Sequence, residues 1–194
     1  MYYQPDGYPH IKTKELYLFK EPKNRLHSML EAWTDGGPVL NNAAAGLTGY
    51  NWQAFIRDDN VIVKREDQTD EHIIFNKPGI QQLDFTVDQN MRPFITYVIQ
   101  DKSYYWHFNS EDSTYSEVAL PLDVKYPRCE LDKRDLADIP SSDIILGYTR
   151  AGNLCYRIQR ERYRIERIIA TDPKKSMLWR IGKLQDDRFG YQWR

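Results

Sequence analysis

Residues 146–156 of the chain read LGYTRAGNLCY, which is an apolar segment, a polar turn and a second apolar segment. The same order occurs at residues 54–63, AFIRDDNVIV, and at residues 95–105, ITYVIQDKSYY. Asn, Asp and Gly are typical of tight turns because they tolerate positive φ and form local hydrogen bonds. The repeated pattern therefore predicts three β-hairpins, and a repeated hairpin indicates a scaffold before it indicates catalysis.

Each predicted hairpin carries two large apolar or aromatic residues that lie eight positions apart. The pairs are Phe55 and Val63, Tyr97 and Tyr105, and Tyr148 and Tyr156. After each hairpin comes another turn and a third apolar run that ends near a proline. These runs span residues 72–75, 115–120 and 163–170. Each unit is thus predicted to be a three-stranded meander.

The meanders predict an all-β fold of repeated antiparallel hairpins, arranged as a sandwich or as blade-like sheets. Residues 83–87 would add a fourth strand to the second unit, and residues 177–193 would form a final hairpin. Three units and a hairpin are too few for a typical closed ring of blades from one chain. We therefore expect a sandwich, or sheet edges that other chains complete.

The chain divides into three predicted parts. Residues 1–22 form an extended arm, because prolines and glycines oppose regular structure there. Residues 23–51 hold a short helix over 24–35 and a loop over 36–50. Residues 52–194 form the β-rich body of three meander units and a C-terminal hairpin. The arm buries little against itself, so it needs another surface, on its own domain or on a neighbouring subunit.

The composition is that of a globular chain with many tyrosines. The 194 residues include 14 Tyr and 5 Trp and carry a formal net charge of −1. Such a small charge provides no global field to attract nucleic acid or a membrane surface. Two cysteines make no disulfide framework, no apolar run is long enough to span a membrane, and the first residues lack a signal-peptide core. We expect a soluble protein made in the cytoplasm, without membrane insertion.

The sequence contains no motif typical of catalysis or cofactor binding. Its histidines are His10, His27, His72 and His107. They lack the spacing of metal ligands, and no phosphate-binding glycine loop or Gly-x-Ser-x-Gly elbow occurs. Acidic pairs at residues 58–59, 111–112 and 186–187 fall at predicted hairpin tips, where acids are typical of solvated turns. A glycan hydrolase would need two carboxylates held a few Å apart. We expect no enzyme, no catalytic residue, no metal and no cofactor.

Residues 157–167, RIQRERYRIER, carry the densest charge. Because strand side chains alternate between faces, a hairpin here would place apolar residues on one side and charged residues on the other. The apolar set is Tyr156, Ile158, Tyr163 and Ile165, and the outer set is Arg157, Arg164 and Glu166. Three interpretations remain, in decreasing order: an ion-paired or solvated sheet face, a subunit interface and a nucleic-acid site.

The third repeat follows the pattern D-x-x-L-x-Y-x-R-x-G-x-L-x-Y-R-x-Q-R-x-R from Asp143 to Arg162. This stretch resembles segments of virion structural proteins from tailed bacteriophages. The resemblance is sharpest over residues 141–169 and extends in style to residues 83–97 and 16–22. It implies a tail-region component that assembles with other virion proteins, and it implies no catalytic role.

The resemblance and the scaffold together predict a non-enzymatic structural component of a bacteriophage tail, with adaptor, tail-tip and fibre-anchoring roles all open. We expect a symmetric homo-oligomer in the virion, bound to other tail proteins and made in the host cytoplasm. The alternative is a module that binds host-surface glycan through exposed aromatic residues such as Tyr104, Trp106 or Trp179. The candidate interface residues are Leu16, Tyr17, Leu18, Phe19, Arg157, Arg160, Arg162, Arg164, Arg167, Trp179 and Trp193.

Overall fold

The all-β fold is confirmed by a computed structural model, which describes residues 2–3, 39–41, 52–65, 68–88, 90–131, 143–175, 177–183 and 189–193. The strands are β1 (Tyr2–Tyr3), β2 (Val39–Asn41), β3 (Trp52–Arg57), β4 (Asn60–Arg65), β5 (Glu71–Asn76), β6 (Ile80–Val87), β7 (Pro93–Ile99), β8 (Lys102–Asn109), β9 (Thr114–Ala119), β10 (Val124–Leu131), β11 (Ile144–Arg150), β12 (Asn153–Ile158), β13 (Arg167–Thr171), β14 (Leu178–Lys183) and β15 (Phe189–Trp193). A 3₁₀ turn, Gln159–Glu161, follows β12. The described ranges contain no helix that is long and apolar enough to cross a membrane.

The strands form four antiparallel sheets. The first sheet is β2 to β5, the second is β6 to β9 and the third is β10 to β13, each with its strands in chain order. The fourth sheet has the order β1-β15-β14. Strand β6 is the additional strand predicted for the second unit, since it pairs with β7 along its length. Every unit is thus a meander in which chain neighbours are also hydrogen-bonded neighbours.

The three repeated hairpins share one turn geometry. The two central turn residues have positive φ in each: Asp58 and Asp59 (51° and 62°), Gln100 and Asp101 (47° and 65°), and Ala151 and Gly152 (49° and 75°). Two consecutive positive φ values in a two-residue loop are typical of the type I′ turn, whose twist matches that of the flanking strands. The sequence repeat therefore encodes a repeated turn as well as repeated strands.

The fourth sheet takes its third strand from the opposite end of the chain. Tyr2 pairs with Gln192 and Tyr3 pairs with Tyr191. The start of the predicted arm thus docks within its own chain, and here no other chain is needed to complete the C-terminal hairpin. Met177, just before β14, packs against the cluster formed by the first and second sheets. The last sheet of the series is thus also joined to the start of the chain and to the first cluster.

Three hydrophobic clusters fill the spaces between consecutive sheets. The first cluster joins the first and second sheets, the second joins the second and third sheets, and the third joins the third and fourth sheets. Strand β7 contributes to two of them, because Ile95 and Tyr97 lie in the first cluster while Phe94 lies in the second. A strand covered on both faces is a continuous apolar run rather than an alternating one. This arrangement explains the unbroken apolar run of β7 in the second repeat.

The eight-residue spacing of the aromatic residues has a structural meaning. Tyr97 pairs across the hairpin with Tyr104, so Tyr105, one position further, lies on the opposite face of the sheet. Tyr97 accordingly joins the first cluster and Tyr105 joins the second. Tyr148 and Tyr156 are divided in the same way between the second and third clusters. Each of these hairpins supplies one aromatic ring to each neighbouring interface.

One predicted loop differs in the structure. Strand β2 lies inside the loop predicted over residues 36–50, where Val39 pairs with Ala54 of β3. Pairing with the edge of an existing sheet stabilises an extended conformation that the local sequence alone does not favour. The helix predicted over residues 24–35 and the apolar segment at residues 16–19 lie outside the described residues.

The predicted third strand of the third unit is also shorter than expected. After the 3₁₀ turn, Arg162 and Tyr163 both have positive φ, 54° and 57°, and the strand begins only at Arg167. The expectation that Tyr163 and Ile165 share one face is therefore wrong. Tyr163 is only 3% exposed and lies in the second cluster, whereas Ile165 is 51% exposed. The turn interrupts the alternation on which that expectation depended.

Candidate functional site

Most of the arginine-rich segment is ion-paired within the chain. Besides Arg157, three candidate interface residues form ion pairs: Arg160 with Asp143, Arg162 with Glu111, and Arg167 with Glu161. The interpretation as an ion-paired face is confirmed for these three arginines. Pairs at or near the surface are weakened by solvent, so these pairs tie down side chains without deciding stability.

Arg157, one of the candidate interface residues, makes its described contacts within the chain. Its Nε donates to the Tyr148 hydroxyl at 2.8 Å and its Nη1 donates to the Tyr163 carbonyl at 3.1 Å. Its Nη2 lies 3.5 Å from the Glu166 carboxylate. Through these contacts Arg157, which lies on β12, connects β11 and the segment before β13 within the third unit.

Of the two tryptophans predicted as a contact surface at the C-terminal hairpin, Trp193 is buried within the chain. Its side chain is 3% exposed and belongs to the third cluster, so it packs the fourth sheet against the third. Trp179 lies on β14, and its side chain is outside the described residues, as are Leu16, Tyr17, Leu18 and Phe19. None of these five side chains is placed in a described contact.

Large apolar side chains are exposed on the outermost strands of the four-stranded sheets. Ile73 on β5 is 66% exposed, Ile168 on β13 is 60% exposed, and Tyr115 on β9 is also exposed. Ile165, in the segment just before β13, is also exposed and lies three positions before Ile168. Beside it, Arg164 makes no side-chain ion pair or hydrogen bond with any other described residue. Sequence reasoning missed the exposure of Ile165 and Ile168, although their position at the end of the unit was the available signal.

A buried tyrosine is bonded to a glutamate in both the second and the third sheets. The Tyr97 hydroxyl donates to Glu117, and the Tyr148 hydroxyl donates to Glu166 Oε2 at 2.6 Å. Lys77 lies 2.8 Å from Glu117 and joins it to the first sheet. In each case burial, followed by the hydrogen bond to the glutamate, raises the tyrosine pKa well above its usual value. These tyrosines therefore stay protonated and serve as hydrogen-bond donors.

The glutamates of these pairs stay ionised. Burial raises the pKa of Glu166, but the hydrogen bond from Tyr148 and the nearby Arg150 and Arg157 outweigh it and hold that pKa below its ordinary value. Burial likewise raises the pKa of Glu117, but hydrogen bonds from Lys77 and Tyr97 outweigh it and hold that pKa below its ordinary value. Carboxylates held in this way stabilise the packing of the sheets and are poor candidates for a general acid.

Two opposite charges, on the partly buried Asp84 and the buried Arg128, interact between β6 and β10. Asp84 Oδ2 accepts a hydrogen bond from the Cys129 amide at 2.8 Å, and Arg128 Nη1 donates to the Pro127 carbonyl at 2.8 Å. Burial lowers the pKa of Arg128 to about 10 and raises the pKa of Asp84, while each charge opposes the shift of the other. Buried charges of this kind are tolerated when they are paired and hydrogen-bonded. The pair belongs to the contact between the second and third sheets.

A cleft of about 210 Å³ opens between the second and third sheets. Tyr105, His107 and Tyr163 form its aromatic wall, with ring centroids 5.2 to 5.5 Å apart. The positive φ values at Arg162 and Tyr163 place the Tyr163 ring in this wall, although its neighbours in sequence are exposed. The cleft thus joins residues from two repeats that are distant in the sequence.

The charges of the cleft are largely paired with one another. Asp88 accepts hydrogen bonds from Arg92 Nε at 2.8 Å and from the Arg92 amide at 2.9 Å. The Arg92 guanidinium lies 4.0 Å from the centre of the Phe108 ring. Glu111 pairs with Arg162 at the rim. Arg164, which also lines the cleft, is the cation that these pairs leave uncompensated.

Two polar groups of the aromatic wall have hydrogen-bonding capacity that no described residue uses. The Tyr163 hydroxyl is buried and has no hydrogen-bond partner in the described part of the chain. Burial raises its pKa well above the ordinary value, so it remains a donor. His107 Nδ1 lies 3.1 Å from the Phe108 carbonyl oxygen. Because that oxygen can only accept, Nδ1 carries the proton, and burial lowers the His107 pKa, so Nε2 is an acceptor at neutral pH.

The aromatic residues expected to offer a glycan platform are engaged in packing. The Tyr104 ring stacks on Tyr97 with centroids 5.4 Å apart, and the Trp106 ring stacks on Tyr115 at 4.2 Å. Tyr104 and Trp106 are half-buried and pack against the first cluster. Their burial counts against the platform that these two residues would have formed.

Neither comparison with known proteins assigns the chain to a group, since no family model matches it and no curated protein matches it significantly. Within the described ranges, no three His, Cys, Asp or Glu side chains come together as a possible metal site. Function must therefore be argued from the surface, the cleft and the packing of this chain itself.

Proposed function

We propose that the chain is a non-enzymatic structural protein that assembles with other proteins through the outer edge of its third sheet. The observation that carries this proposal is the exposure of Ile165 and Ile168 beside Arg164, whose side chain pairs with no described residue. Exposed apolar side chains next to arginine are typical of the residues that bind a partner protein. The partner would cover the two isoleucines and supply an acidic group for Arg164.

The sheet architecture supports an assembling role. The outer edge of β13 pairs with no other strand in the described part of the chain, and such an edge invites pairing or must be covered. The packed clusters between the sheets meanwhile make the body rigid, because their side chains interdigitate at the density of a protein interior. A rigid body with an uncovered edge suits a structural subunit that is fixed in place by its neighbours.

The place of assembly is proposed from the resemblance of residues 141–169 to virion structural proteins of tailed bacteriophages. Those residues include Ile165, Ile168 and Arg164, so the sequence resemblance and the exposed surface fall on the same segment. The protein would act in the tail region of the virion, in several symmetric copies and together with other tail proteins.

A double substitution tests this proposal. Ile165→Asp with Ile168→Asp places charge in the proposed interface but leaves the buried clusters intact, so the protein should fold and remain monomeric in multi-angle light scattering. It should also fail to enter particles in a complementation assay. The matched control is Ile73→Asp, which changes an equally exposed isoleucine on the first sheet and should assemble normally. Normal particle entry of the double variant would overturn the proposal.

A second candidate function is saccharide binding, and the cleft between the second and third sheets is the observation that favours it. Its aromatic wall matches the apolar ring face of a saccharide, and His107 Nε2, which no described residue bonds, can accept a hydrogen bond from one of its hydroxyl groups. This candidate differs from the original expectation in its location, because Tyr104 and Trp106 are occupied elsewhere.

A further inference from the structure

We propose that the protein that covers Ile165 and Ile168 is a second copy of this chain, which presents Asp112 and Tyr115 at the start of β9. The Asp112 carboxylate of the neighbouring copy would pair with Arg164, and its Tyr115 ring would cover the two isoleucines. The inference rests on the proposed function, assembly through the outer edge of the third sheet, and it names the partner.

The starts of β9 and β13 carry the same arrangement of side chains with opposite charge. Tyr115 is the second residue of β9 and Ile168 is the second residue of β13. Both side chains are exposed, at 42% and 60%. Asp112 lies two positions before β9, and Arg164 lies three positions before β13. Two copies placed side by side, with these strands running in the same direction, bring the acid to the arginine and the ring to the isoleucine.

Asp112 and Arg164 are charges that pairing within the chain leaves over. Asp112 accepts hydrogen bonds from the Thr114 amide at 3.1 Å and hydroxyl at 2.8 Å, but makes no ion pair with a described residue. These hydrogen bonds hold the pKa of its carboxyl below the ordinary value, so it is ionised at neutral pH. Glu111 and Arg162, which lie close by in the sequence, pair with each other within one chain. A contact between copies would therefore neutralise the two remaining charges.

Tyr115 is held in place before any contact forms. Its ring stacks on Trp106 with centroids 4.2 Å apart and planes 2° apart, and it meets the Phe108 ring edge-on at 5.3 Å. A side chain that is already fixed loses little conformational freedom on binding. Tyrosine is also typical of the residues that contribute most to protein interfaces. The exposed part of this ring is thus a suitable cover for the isoleucines of a neighbouring copy.

The first sheet offers a similar pair, Asp70 and Ile73, but on an interrupted edge. A register shift in β5 makes Ile74 an extra residue beside Ile73, and such bulges turn an edge away from a second chain. Strand β9 pairs with β8 along all of its six residues without a shift. The shift in β13 falls at Ile169, after the proposed contact. The second sheet is therefore the better match, and the first sheet supplies a matched control.

The contact joins two different surfaces, so each copy keeps one free surface of each kind. Further copies can then add in the same way until a ring closes. Each contact is small beside the about 20–30 residues a side of a stable interface. We therefore expect the wild-type protein to be monomeric at about 10 µM and to self-associate with a dissociation constant of about 0.1–1 mM.

The test is sedimentation velocity of the full-length protein between about 10 µM and about 1 mM. Arg164→Asp and Asp112→Arg should each weaken self-association about tenfold or more, because like charges then meet. A charge-exchanged variant that carries both substitutions should regain it, and so should an equimolar mixture of the two single variants. Self-association as weak in the exchanged variant and the mixture as in the single variants would overturn the pairing.

Two further variants separate the charge from the local fold. Asp112→Asn keeps an oxygen that can accept from Thr114 and removes the charge, so it should also weaken self-association. Asp70→Arg reverses an exposed acid on the first sheet and should leave self-association unchanged. Unchanged association in Asp112→Asn, or an equal loss in Asp70→Arg, would contradict the assignment to β9.

Particle entry distinguishes this inference from the function on which it rests. A wild-type protein that stays monomeric at about 1 mM, or Asp112→Arg protein that enters particles normally, would overturn the second copy as the partner. If Ile165→Asp with Ile168→Asp still fails to enter particles, assembly through the third sheet stands with a different protein as the partner. Normal entry of that isoleucine variant would overturn both.

Discussion

Three buried tyrosines allow the hydrogen bonds of the fold to be weighed by the removal of one oxygen at a time. Tyr97 and Tyr148 are fully buried and Tyr163 nearly so, so substitution by phenylalanine changes the packed volume equally little at each position. Their hydroxyls differ in partners. Tyr148 donates to Glu166 and accepts from Arg157, Tyr97 donates to Glu117, and Tyr163 has no partner in the described residues.

The expected losses follow from these partners. A hydrogen bond to a charged group contributes about 1.5–3 kcal/mol. Tyr148→Phe breaks two such bonds inside the third sheet, and we expect the free energy of unfolding to fall by about 3 kcal/mol. Tyr97→Phe breaks one bond, to a glutamate that is partly exposed, and should cost about 1.5 kcal/mol. Tyr163→Phe should change stability by less than about 0.5 kcal/mol or increase it, because it removes an unsatisfied buried oxygen.

The assay is urea unfolding at pH 7, followed by tryptophan fluorescence, with the free energy taken from the midpoint and the slope. Unchanged slopes would show that the variants lose stability rather than compactness. The decisive comparison is Tyr148→Phe with Tyr163→Phe. Equal destabilisation by these two substitutions would refute the reasoning, since both remove one oxygen and only one of them breaks a hydrogen bond.

Further predictions concern turn geometry and pH. Gly152→Ala should destabilise the protein by about 3 kcal/mol or more, because φ is +75° and an added Cβ would lie 2.8 Å from Pro173 Cα. Gly79→Ala should cost about 1 kcal/mol, because φ is similar, +76°, but the nearest neighbour of the added Cβ is 3.8 Å away. Thermal unfolding would measure both, and equal costs would contradict the steric argument. The pKa of folded Glu166 lies below its ordinary 4.5, so its contribution to the free energy of unfolding is present above pH 4.5 and is lost as pH falls through the folded pKa. Glu166→Gln should therefore flatten the acid limb of the curve of stability against pH. An unchanged limb would contradict this. Burial lowers the pKa of His107 below its ordinary 6.5, so as pH drops below 6.5 the unfolded state binds the proton first and stability falls. His107→Gln should reduce that fall in stability. A steeper fall in the variant would contradict the direction of this effect.

The sequence predicted the sheets well because each hairpin carries its own instructions. Residues such as Asp58, Asp59 and Gly152 indicate the turn, and the apolar segments on either side indicate the strands. The third strands were also expected, since each follows a polar turn and ends near a proline. Local chemistry of this kind can be read without knowing what any strand packs against.

Contacts between distant segments could not be predicted in the same way. Pairing of Tyr2 with Gln192 spans nearly the whole chain, and the strand at Val39 forms only because β3 offers it an edge. The position of Tyr163 depends on two left-handed residues after a 3₁₀ turn, and no periodicity in the sequence indicates that interruption. The cleft was therefore missed, because it exists only where β8 and this turn meet.

The arginine-rich segment shows a third kind of limit. Its charge was plain from the sequence, but the division into paired and unpaired side chains depends on partners such as Asp143 and Glu111. These acids lie outside the segment, and only the fold brings them to it. The proposed contact surface therefore contains only one of the five arginines, Arg164. It also contains Ile165 and Ile168, which the charge pattern did not indicate.

The two-sided burial of β7 has a consequence for how the molecule responds to force, heat or a ligand. Because Phe94 and Ile95 belong to different clusters, the second sheet is a shared wall, and it cannot separate from one neighbour without disturbing its contact with the other. The sheets should therefore melt as a single cooperative unit rather than one by one. A small displacement at the cleft would therefore be transmitted to the first sheet through the second sheet, which is a single layer of strands.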